Sequence, residues 1–410
     1  MCNGKMRIEK LRYILVLVAA LSIGTAPVDM AVGAEAPPKI DAASAILTDA
    51  VTGQILYQKN AHVRRPMAST TKIMTAIIVI ENCSMDEVVT ASENASKVPY
   101  TSLHLKPGEQ VKVKDLLYAL MIRSANDSAV ALAEHVAGSV EGFAAMMNAK
   151  AKELGAKNTH FVNPNGLYAK DHYSTAYDLA LITRYALKLP VFNEIITTQR
   201  VIIDRSINKQ DLLISTKSKF LKNYPGADGV KSGYIKQAGY CYVGSATRGG
   251  WRLVSAVLKS NDSQADTSAL MNYGFKNYQR LILAHTKQPV ETIAVKGGDQ
   301  ELKVVPAERV HVVVKAGNQK AAKTEIKLDE ISAPVKKGDK VGTLTAIVDG
   351  RPVFTVDLEA ANDVDESTVS AMWPWVRTMA LISMLGVGAA CGRATAKSDG
   401  GSRSRFSQEV

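Results

Sequence analysis

The stretch "RPMASTTKIMTAIIVIE", Arg65 to Glu81, decides how the first part of this chain is built. It predicts a helix that is apolar on nearly every side and is therefore buried. The helix opens on Ser69 and, three residues later, on Lys72. A lysine at the mouth of a buried helix loses its hydration, so stability alone does not explain its presence.

The spacing of Ser69 and Lys72 indicates a chemical role. Positions i and i+3 lie on one face of a helix, so the two side chains can form a hydrogen bond. A lysine can act as the base that activates a serine if desolvation or a second cation lowers its pKa toward neutrality. The free N–H of a residue at a helix N-terminus can also stabilise an oxyanion. A second SxxK, Ser206 to Lys209, lies in the polar run "RSINKQ" and is interpreted as chance.

Two further segments carry short polar motifs. "MIRSANDSAVALAE" places Ser124 and Asn126 between an apolar run and a helix, where a simple helix N-cap is the structural alternative. "GADGVKSGYI" places Lys231, Ser232 and Gly233 in a strand pattern, where the alternative is a solvated edge strand with a glycine bulge. This is the only K-[ST]-G in the sequence, so it is the most specific of the three motifs.

The order SxxK, SxN, K-[ST]-G is that of class A β-lactamases and penicillin-binding proteins. The segments "NTHFVNPNGLYAKDHYSTAYDLALI" and "YPGADGVKSGYIKQAGYCYVGSA" resemble one branch more closely, the low-molecular-mass D-alanyl-D-alanine carboxypeptidases. The resemblance covers residues 38–285 and extends more loosely beyond them. It implies an α+β, β-lactamase/transpeptidase-like domain in which an antiparallel sheet packs against a helical cluster.

The resemblance also implies roles for the motif residues. Ser69 attacks the D-Ala-D-Ala carbonyl, Lys72 is its base, and Ser124 relays a proton to the leaving D-alanine. The implied substrate-binding residues are Asn126 for the peptide backbone, Lys231 for positive charge, Ser232 for the terminal carboxylate, and Gly233 and Tyr234, with the N–H groups of Ser69 and Tyr234 as oxyanion hole. Ser232 replaces the threonine usual in the family but keeps its hydroxyl, and Asn165 stands where relatives often have histidine.

Strand and helix patterns divide the chain into domains. Strand patterns at residues 40–58 and again after residue 200, with helices between, favour one α+β sheet that closes late in sequence. We expect this carboxypeptidase domain to span residues 35–288. Short alternating strands with Gly and Asp turns then predict a small all-β, sandwich-like domain over residues 289–366.

The two ends of the chain predict export and anchoring. Residues 1–34 combine basic residues, an apolar run and a small-residue "AVGA", which is the layout of a signal peptide, an uncleaved anchor being the alternative. Residues 371–391, "AMWPWVRTMALISMLGVGAAC", would span ~31 Å as a C-terminal membrane helix. A helix lying flat in the interface is the alternative. Residues 392–410 would form a basic cytoplasmic tail, leaving the enzyme on the outer face of the membrane.

Composition limits the partners. Residues 1–34 and 392–410 each contribute +2 to the formal charge of +11, so the remainder carries +7. That excess suits an anionic polymer or a membrane surface, and no basic-aromatic run indicates nucleic acid. The cysteines and histidines show no metal-ligand spacing, and we expect neither metal nor cofactor. Cys83, Cys241 and Cys391 are expected to be free thiols, a Cys83–Cys241 disulfide being the alternative.

The sequence therefore predicts a serine D-Ala-D-Ala carboxypeptidase that trims peptidoglycan stem peptides and is acylated by β-lactams. A β-lactamase on the same scaffold is one alternative, although the class A deacylating glutamate has no counterpart in residues 154–193. A β-lactam sensor that is acylated without turnover is another, although only nineteen residues follow Cys391.

Overall fold

The computed structural model describes residues 36–367, which contain sixteen strands and nine α-helices. The strands are β1 (Ser44–Asp49), β2 (Ile55–Lys59), β3 (Val88–Thr90), β4 (Gln110–Lys112), β5 (Arg200–Ile202), β6 (Leu213–Ser215), β7 (Ala227–Ile235), β8 (Gly239–Arg248), β9 (Trp251–Ser260), β10 (Tyr278–Ala284), β11 (Glu291–Ala294), β12 (Glu301–Pro306), β13 (Val310–Lys315), β14 (Ala322–Leu328), β15 (Lys340–Val348) and β16 (Arg351–Ala360). The helices are α1 (Lys72–Asn82), α2 (Glu93–Ser96), α3 (Val113–Tyr118), α4 (Asn126–Ala137), α5 (Val140–Glu153), α6 (Ala176–Ala186), α7 (Pro190–Thr197), α8 (Lys219–Asn223) and α9 (Ser263–Asn277).

The first domain is organised around an antiparallel sheet with the strand order β2-β1-β9-β8-β7. Its first two strands form a hairpin within residues 40–58, where the sequence predicts strands. Strand β1 then pairs with β9, in a register that sets Ile46 opposite Ala256. The sheet is completed only when the chain returns after the helical segment, which agrees with the predicted α+β class.

Helices cover both faces of this sheet. Because side chains alternate along a strand, Ile46 packs into the cluster that contains α1, while Leu47 packs on the other face beside Leu270 of α9. Every residue of α1 from Lys72 to Val79 is buried. A helix that is apolar all round belongs inside a domain, and here it lies within the helical layer.

The second domain is a small β structure with two sheets around one apolar core. A five-stranded sheet has the order β11-β12-β16-β15-β14, and β10 pairs with β13. Val312, Leu344 and Leu358 come from the two sheets and belong to the same buried cluster, which fits the sandwich-like prediction. The predicted domain boundary between residues 288 and 289 falls after β10, although β10 pairs with the second domain and contributes Ala284 to its core.

The second domain contacts the first at the β1–β2 turn. The Gln54 side chain donates to the Val313 carbonyl at 3.0 Å and accepts from the Val313 N–H at 2.7 Å, as a strand backbone would. Nearby, His311 lies 3.3 Å from the buried carboxylate of Asp49. These contacts are at the β2–β1 edge of the sheet, whereas β7 forms its other edge.

The predicted signal peptide (1–34), membrane helix (371–391) and basic tail (392–410) lie outside the described residues. Within residues 36–367, no helix combines the length and the hydropathy that crossing a membrane requires. Cys83 and Cys241, the two cysteines of this range, are both free thiols.

Candidate active site

Lys72 is buried completely at the start of α1 and contacts three separate segments. Its Nζ donates to Ser69 Oγ at 3.0 Å, to Asn126 Oδ1 at 2.7 Å and to the Asn165 carbonyl at 2.6 Å. Burial and, next, the charge of Lys231 hold the pKa of Lys72 well below its ordinary value, against an opposing effect of Asp127. A neutral Lys72 would direct a lone pair at the Ser69 hydroxyl, the geometry that a base requires.

The backbone around Ser69 is enclosed by two glycines. A Cβ on Gly166 would lie 2.0 Å from the Ala68 carbonyl oxygen, and a Cβ on Gly233 would lie 2.7 Å from the Ser69 nitrogen. Ala68 itself adopts a left-handed conformation, with φ of 49°. Only glycine allows these segments to approach Ser69 so closely, because any side chain would collide with the backbone around Ser69.

A buried histidine, His172, which is not among the residues predicted from the sequence, supports the same turn. The Val162 N–H donates to His172 Nδ1 at 2.9 Å, so the ring proton belongs on Nε2. That Nε2–H donates to Thr71 Oγ1 at 2.9 Å, and Thr71 donates to the Ala68 carbonyl at 2.8 Å. Burial lowers the pKa of His172 to about 4, which keeps the ring neutral near pH 7. No residue spacing along the chain indicates this relay.

The predicted SxN motif lies where α3 leads into α4. A π-helical turn, Ala119–Arg123, ends at Ser124, which has a left-handed φ of 68° and is half-buried beside the cleft. Asn126 is 4% exposed, and its amide is engaged within the protein because it accepts from Lys72 and donates to the Pro99 carbonyl at 2.9 Å. The structure therefore gives Asn126 a contact with the lysine that the resemblance did not imply.

The K-[ST]-G motif lies on the edge strand β7. Lys231 is 3% exposed, its Nζ lies 3.1 Å from the Ser232 carbonyl, and burial lowers its pKa to about 7. Ser232 and Tyr234 are exposed. Strand β7 is the edge strand of its sheet, with β8 on one side and no strand of residues 36–367 on the other. Because the N–H groups of an edge strand are unpaired, this edge can receive a peptide.

Seven of the eight predicted site residues line one cleft of about 990 Å³, and Lys72 is buried behind Ser69. The seven are Ser69, Ser124, Asn126, Lys231, Ser232, Gly233 and Tyr234. The departure at Asn165 also has a structural explanation. Its backbone carbonyl contacts Lys72 and its side chain accepts from the Leu167 N–H at 3.0 Å, so the contact with the lysine does not depend on which side chain residue 165 carries.

A serine hydroxyl beside a desolvated lysine, at the edge of an antiparallel sheet covered by helices, defines a serine acyl-transfer enzyme of the transpeptidase-like class. Comparison with known proteins agrees with this class. Residues 31–262 match the D-alanyl-D-alanine carboxypeptidase family, and residues 278–366 match the C-terminal domain of penicillin-binding protein 5. The chain thus belongs to the D-alanyl-D-alanine carboxypeptidase family.

Individual relatives cover most of the described residues. D-alanyl-D-alanine carboxypeptidase DacF of Bacillus subtilis is 36% identical over 80% of this chain and 87% of its own length. DacA of Escherichia coli is 31% identical over 80% of this chain and 85% of its own. The crystal structure of penicillin binding protein 5 from Haemophilus influenzae superposes with a TM-score of 0.68 at 29% identity, over 81% of this chain and all of that one.

The family match supports carboxypeptidase activity over the β-lactamase and sensor alternatives. The protein is a serine-type D-Ala-D-Ala carboxypeptidase, a hydrolase that acts on peptidoglycan stem peptides through an acyl-enzyme. The match to the C-terminal domain of penicillin-binding protein 5 begins at residue 278, which coincides with the start of β10.

The low pKa of His172 makes the stability of this domain depend on pH. The folded protein keeps the ring neutral down to about pH 4, whereas the unfolded chain takes up a proton below its ordinary pKa of 6.5. The free energy of unfolding should therefore fall as the pH drops from 6.5 to 4, with His172 contributing up to about 3 kcal/mol of that loss. Urea unfolding of His172→Gln should show a flatter profile over this range.

His285→Gln, at an exposed histidine, is the matched control and should keep the wild-type profile. An unchanged slope in His172→Gln would contradict the assignment of a neutral, buried His172.

Proposed function

We propose that Ser69 is the nucleophile and Lys72 the general base of this carboxypeptidase. The observation that carries the proposal is the 3.0 Å contact between Lys72 Nζ and Ser69 Oγ at a fully buried lysine. Lys72 takes the Ser69 proton as Oγ bonds to the carbonyl carbon of the penultimate D-alanine. The peptide C–N bond then breaks, and the leaving D-alanine amine receives a proton through Ser124. Water, activated in the same way, releases the shortened peptide.

The oxyanion and the terminal carboxylate are bound by β7 and the start of α1. The N–H groups of Ser69 and Tyr234 form the oxyanion hole, and the close approach of Gly233 to the Ser69 nitrogen supports this pairing. Ser232 donates to the terminal carboxylate, while Lys231 supplies positive charge from beneath it. Asn126 keeps Lys72 in place and presents its remaining amide N–H to the substrate backbone.

The chain ends supply export and attachment in this proposal. Residues 1–34 direct the protein out of the cell, and residues 371–391 anchor it on the outer face of the membrane, with 392–410 on the cytoplasmic side. Two tryptophans, Trp373 and Trp375, and an apolar sequence whose one charged residue is Arg377 support a membrane span. The β domain, which ends close to this segment in sequence, would serve as a spacer between membrane and catalytic domain.

The nucleophile can be tested with penicillin. We expect penicillin to add its mass to Ser69, and Ser69→Ala to abolish both the adduct and D-alanine release, because no other serine of residues 36–367 forms a hydrogen bond with Lys72. Intact-mass measurement followed by peptide mapping checks this. Ser206→Ala, in the second SxxK, is the control and should react normally; an adduct on Ser206 would refute the assignment.

The titration of Lys72 and Lys231 predicts a bell-shaped dependence of kcat/KM on pH. Acylation should rise with pH as Lys72 loses its proton, and kcat/KM should fall above about pH 7 as Lys231 becomes neutral in the free enzyme. A bound carboxylate raises the pKa of Lys231, so the falling limb of kcat should lie at higher pH than that of kcat/KM. Steady-state D-alanine release across pH measures both limbs, and coincident falling limbs would contradict this role of Lys231.

The base assignment is tested by Lys72→Arg. Arginine keeps the positive charge but cannot lose its proton, so the variant should be as inactive as Lys72→Ala, with acylation slowed by at least about a hundredfold. Rapid-quench measurement of penicillin acylation checks this. Substantial acylation of the arginine variant would show that Lys72 has only a structural role.

The anchor is tested by truncation before Ala371. The shortened protein loses none of the site residues, so it should be soluble and release D-alanine from a short peptide at a near-normal rate. The full chain should fractionate with membranes and resist high-salt washing, since burial of apolar surface is insensitive to screening. Release of the full chain by salt alone would mean that the basic residues hold it at the surface and that the span does not exist.

A further inference from the structure

The active-site cleft is lined by basic residues and, among the described residues, by no aspartate or glutamate. Its cations are Arg123, Lys217, Lys231 and Lys236. Arg123 is neutralised by Asp211, at 2.5 Å and 2.8 Å, and Lys231 already has a role in the proposed reaction. Lys217 and Lys236 form no hydrogen bond or ion pair within residues 36–367. Two unpaired cations that face a cleft without carboxylates indicate that the bound peptide supplies a carboxylate of its own.

The two lysines lie at opposite ends of the substrate-binding edge. Lys217 precedes Ser218, whose hydroxyl lies 2.8 Å from the hydroxyl of Tyr242, and Tyr242 is paired with Ser232 across β7 and β8. Lys217 therefore borders the end where Ser232 receives the terminal carboxylate. Lys236 directly follows β7, in the turn that leads to β8, and is exposed.

The direction of the bound peptide follows from the edge strand. A peptide that extends a sheet pairs with the free N–H and C=O groups of the edge strand. With the scissile carbonyl at Tyr234 and the terminal carboxylate at Ser232, an antiparallel peptide places its preceding residues beside Ile235 and then Lys236. Successive residues advance by about 3.3 Å, so Lys236 lies beside the second or third residue of a five-residue stem.

We propose that Lys236 binds a free carboxylate located upstream of the two terminal D-alanines, so that the enzyme prefers stem peptides that carry one. This inference rests on the proposed function, because the nucleophile fixes the position of the scissile bond. A stem peptide can supply the carboxylate from two sources. One is the α-carboxylate left free when the second residue, glutamate, is linked through its side chain. The other is the side-chain carboxylate of a dicarboxylic diamino acid at the third position.

The size of the preference follows from the exposure of Lys236. An ion pair between flexible, solvated groups contributes little, which corresponds to a preference of about two- to fivefold in kcat/KM. Such a preference should decline with added salt, because the screening length shortens to about 8 Å near physiological ionic strength. Charge reversal at Lys236 should invert the preference, since repulsion replaces attraction.

The experiment compares kcat/KM for D-alanine release from two pairs of synthetic pentapeptides. In one pair the second residue carries its α-carboxylate either free or as the amide; in the other the third residue carries its side-chain carboxylate either free or as the amide. For the wild type, at least one pair should show a free-acid to amide ratio of about two to five. The ratio should fall to about one in Lys236→Met and below one in Lys236→Glu, and the responsive pair identifies the source.

Lys157→Met removes an exposed lysine outside the cleft and should keep the wild-type ratio. Three results would each overturn the inference. They are a free-acid to amide ratio of one for both pairs in the wild type, a ratio that is unchanged in Lys236→Met, and a ratio that is lost only in Lys217→Met. In each of these cases release from the amide peptides still supports the proposed function. Failure of the wild type to release D-alanine from any of the four peptides would overturn both.

Discussion

The burial of Lys72 is the constraint on which the rest of the catalytic domain depends. An amine withdrawn from water must be compensated by hydrogen bonds, and this one meets Ser69, Asn126 and Asn165 within 3.0 Å. The three partners come from the 3-10 turn just before α1, the start of α4 and the loop before α6. Placing them all to within a fraction of an ångström requires the helical layer, the sheet and the loop to be fixed together. The apolar body of α1 provides that rigidity and also the desolvation that makes a lysine a usable base.

The second lysine, Lys231, differs from Lys72 in its electrostatic environment. Lys231 acts on Lys72 as a like charge, yet its own pKa is lowered to about 7 by burial. The pKa of Lys72 is held well below its ordinary value, while Lys231, with its pKa lowered to about 7, stays at the boundary where an incoming anion can recharge it. This difference of environment, rather than any difference between the side chains, separates the proposed base from the proposed anion binder.

The sequence was most informative where function depends on local spacing. Ser69 lies in the 3-10 turn Ala68–Thr71 that leads directly into α1 at Lys72, so their i to i+3 contact follows from helical geometry. The order of the three motifs indicated the remaining site residues. The contacts of Asn165 and His172 could not be predicted, because they join segments about a hundred residues apart through a backbone carbonyl and a ring tautomer. The residues of β10 lie before the expected domain boundary at residue 288 for a related reason. A single strand after a helix carries no local signal of the sheet with which it pairs.

The free edge of β7 has a consequence for solubility as well as for substrate capture. An unpaired strand edge is a template on which a second molecule can pair, and proteins normally cover or interrupt such edges. A carboxypeptidase of this kind cannot cover the edge, since its substrate must reach it. The edge is instead followed directly by Lys236 and lies within a concave cleft, and these features admit a single narrow peptide while hindering another sheet. The concave shape of the cleft and the charge of Lys236 thus protect the edge of β7 from self-association, while the edge stays accessible to the substrate.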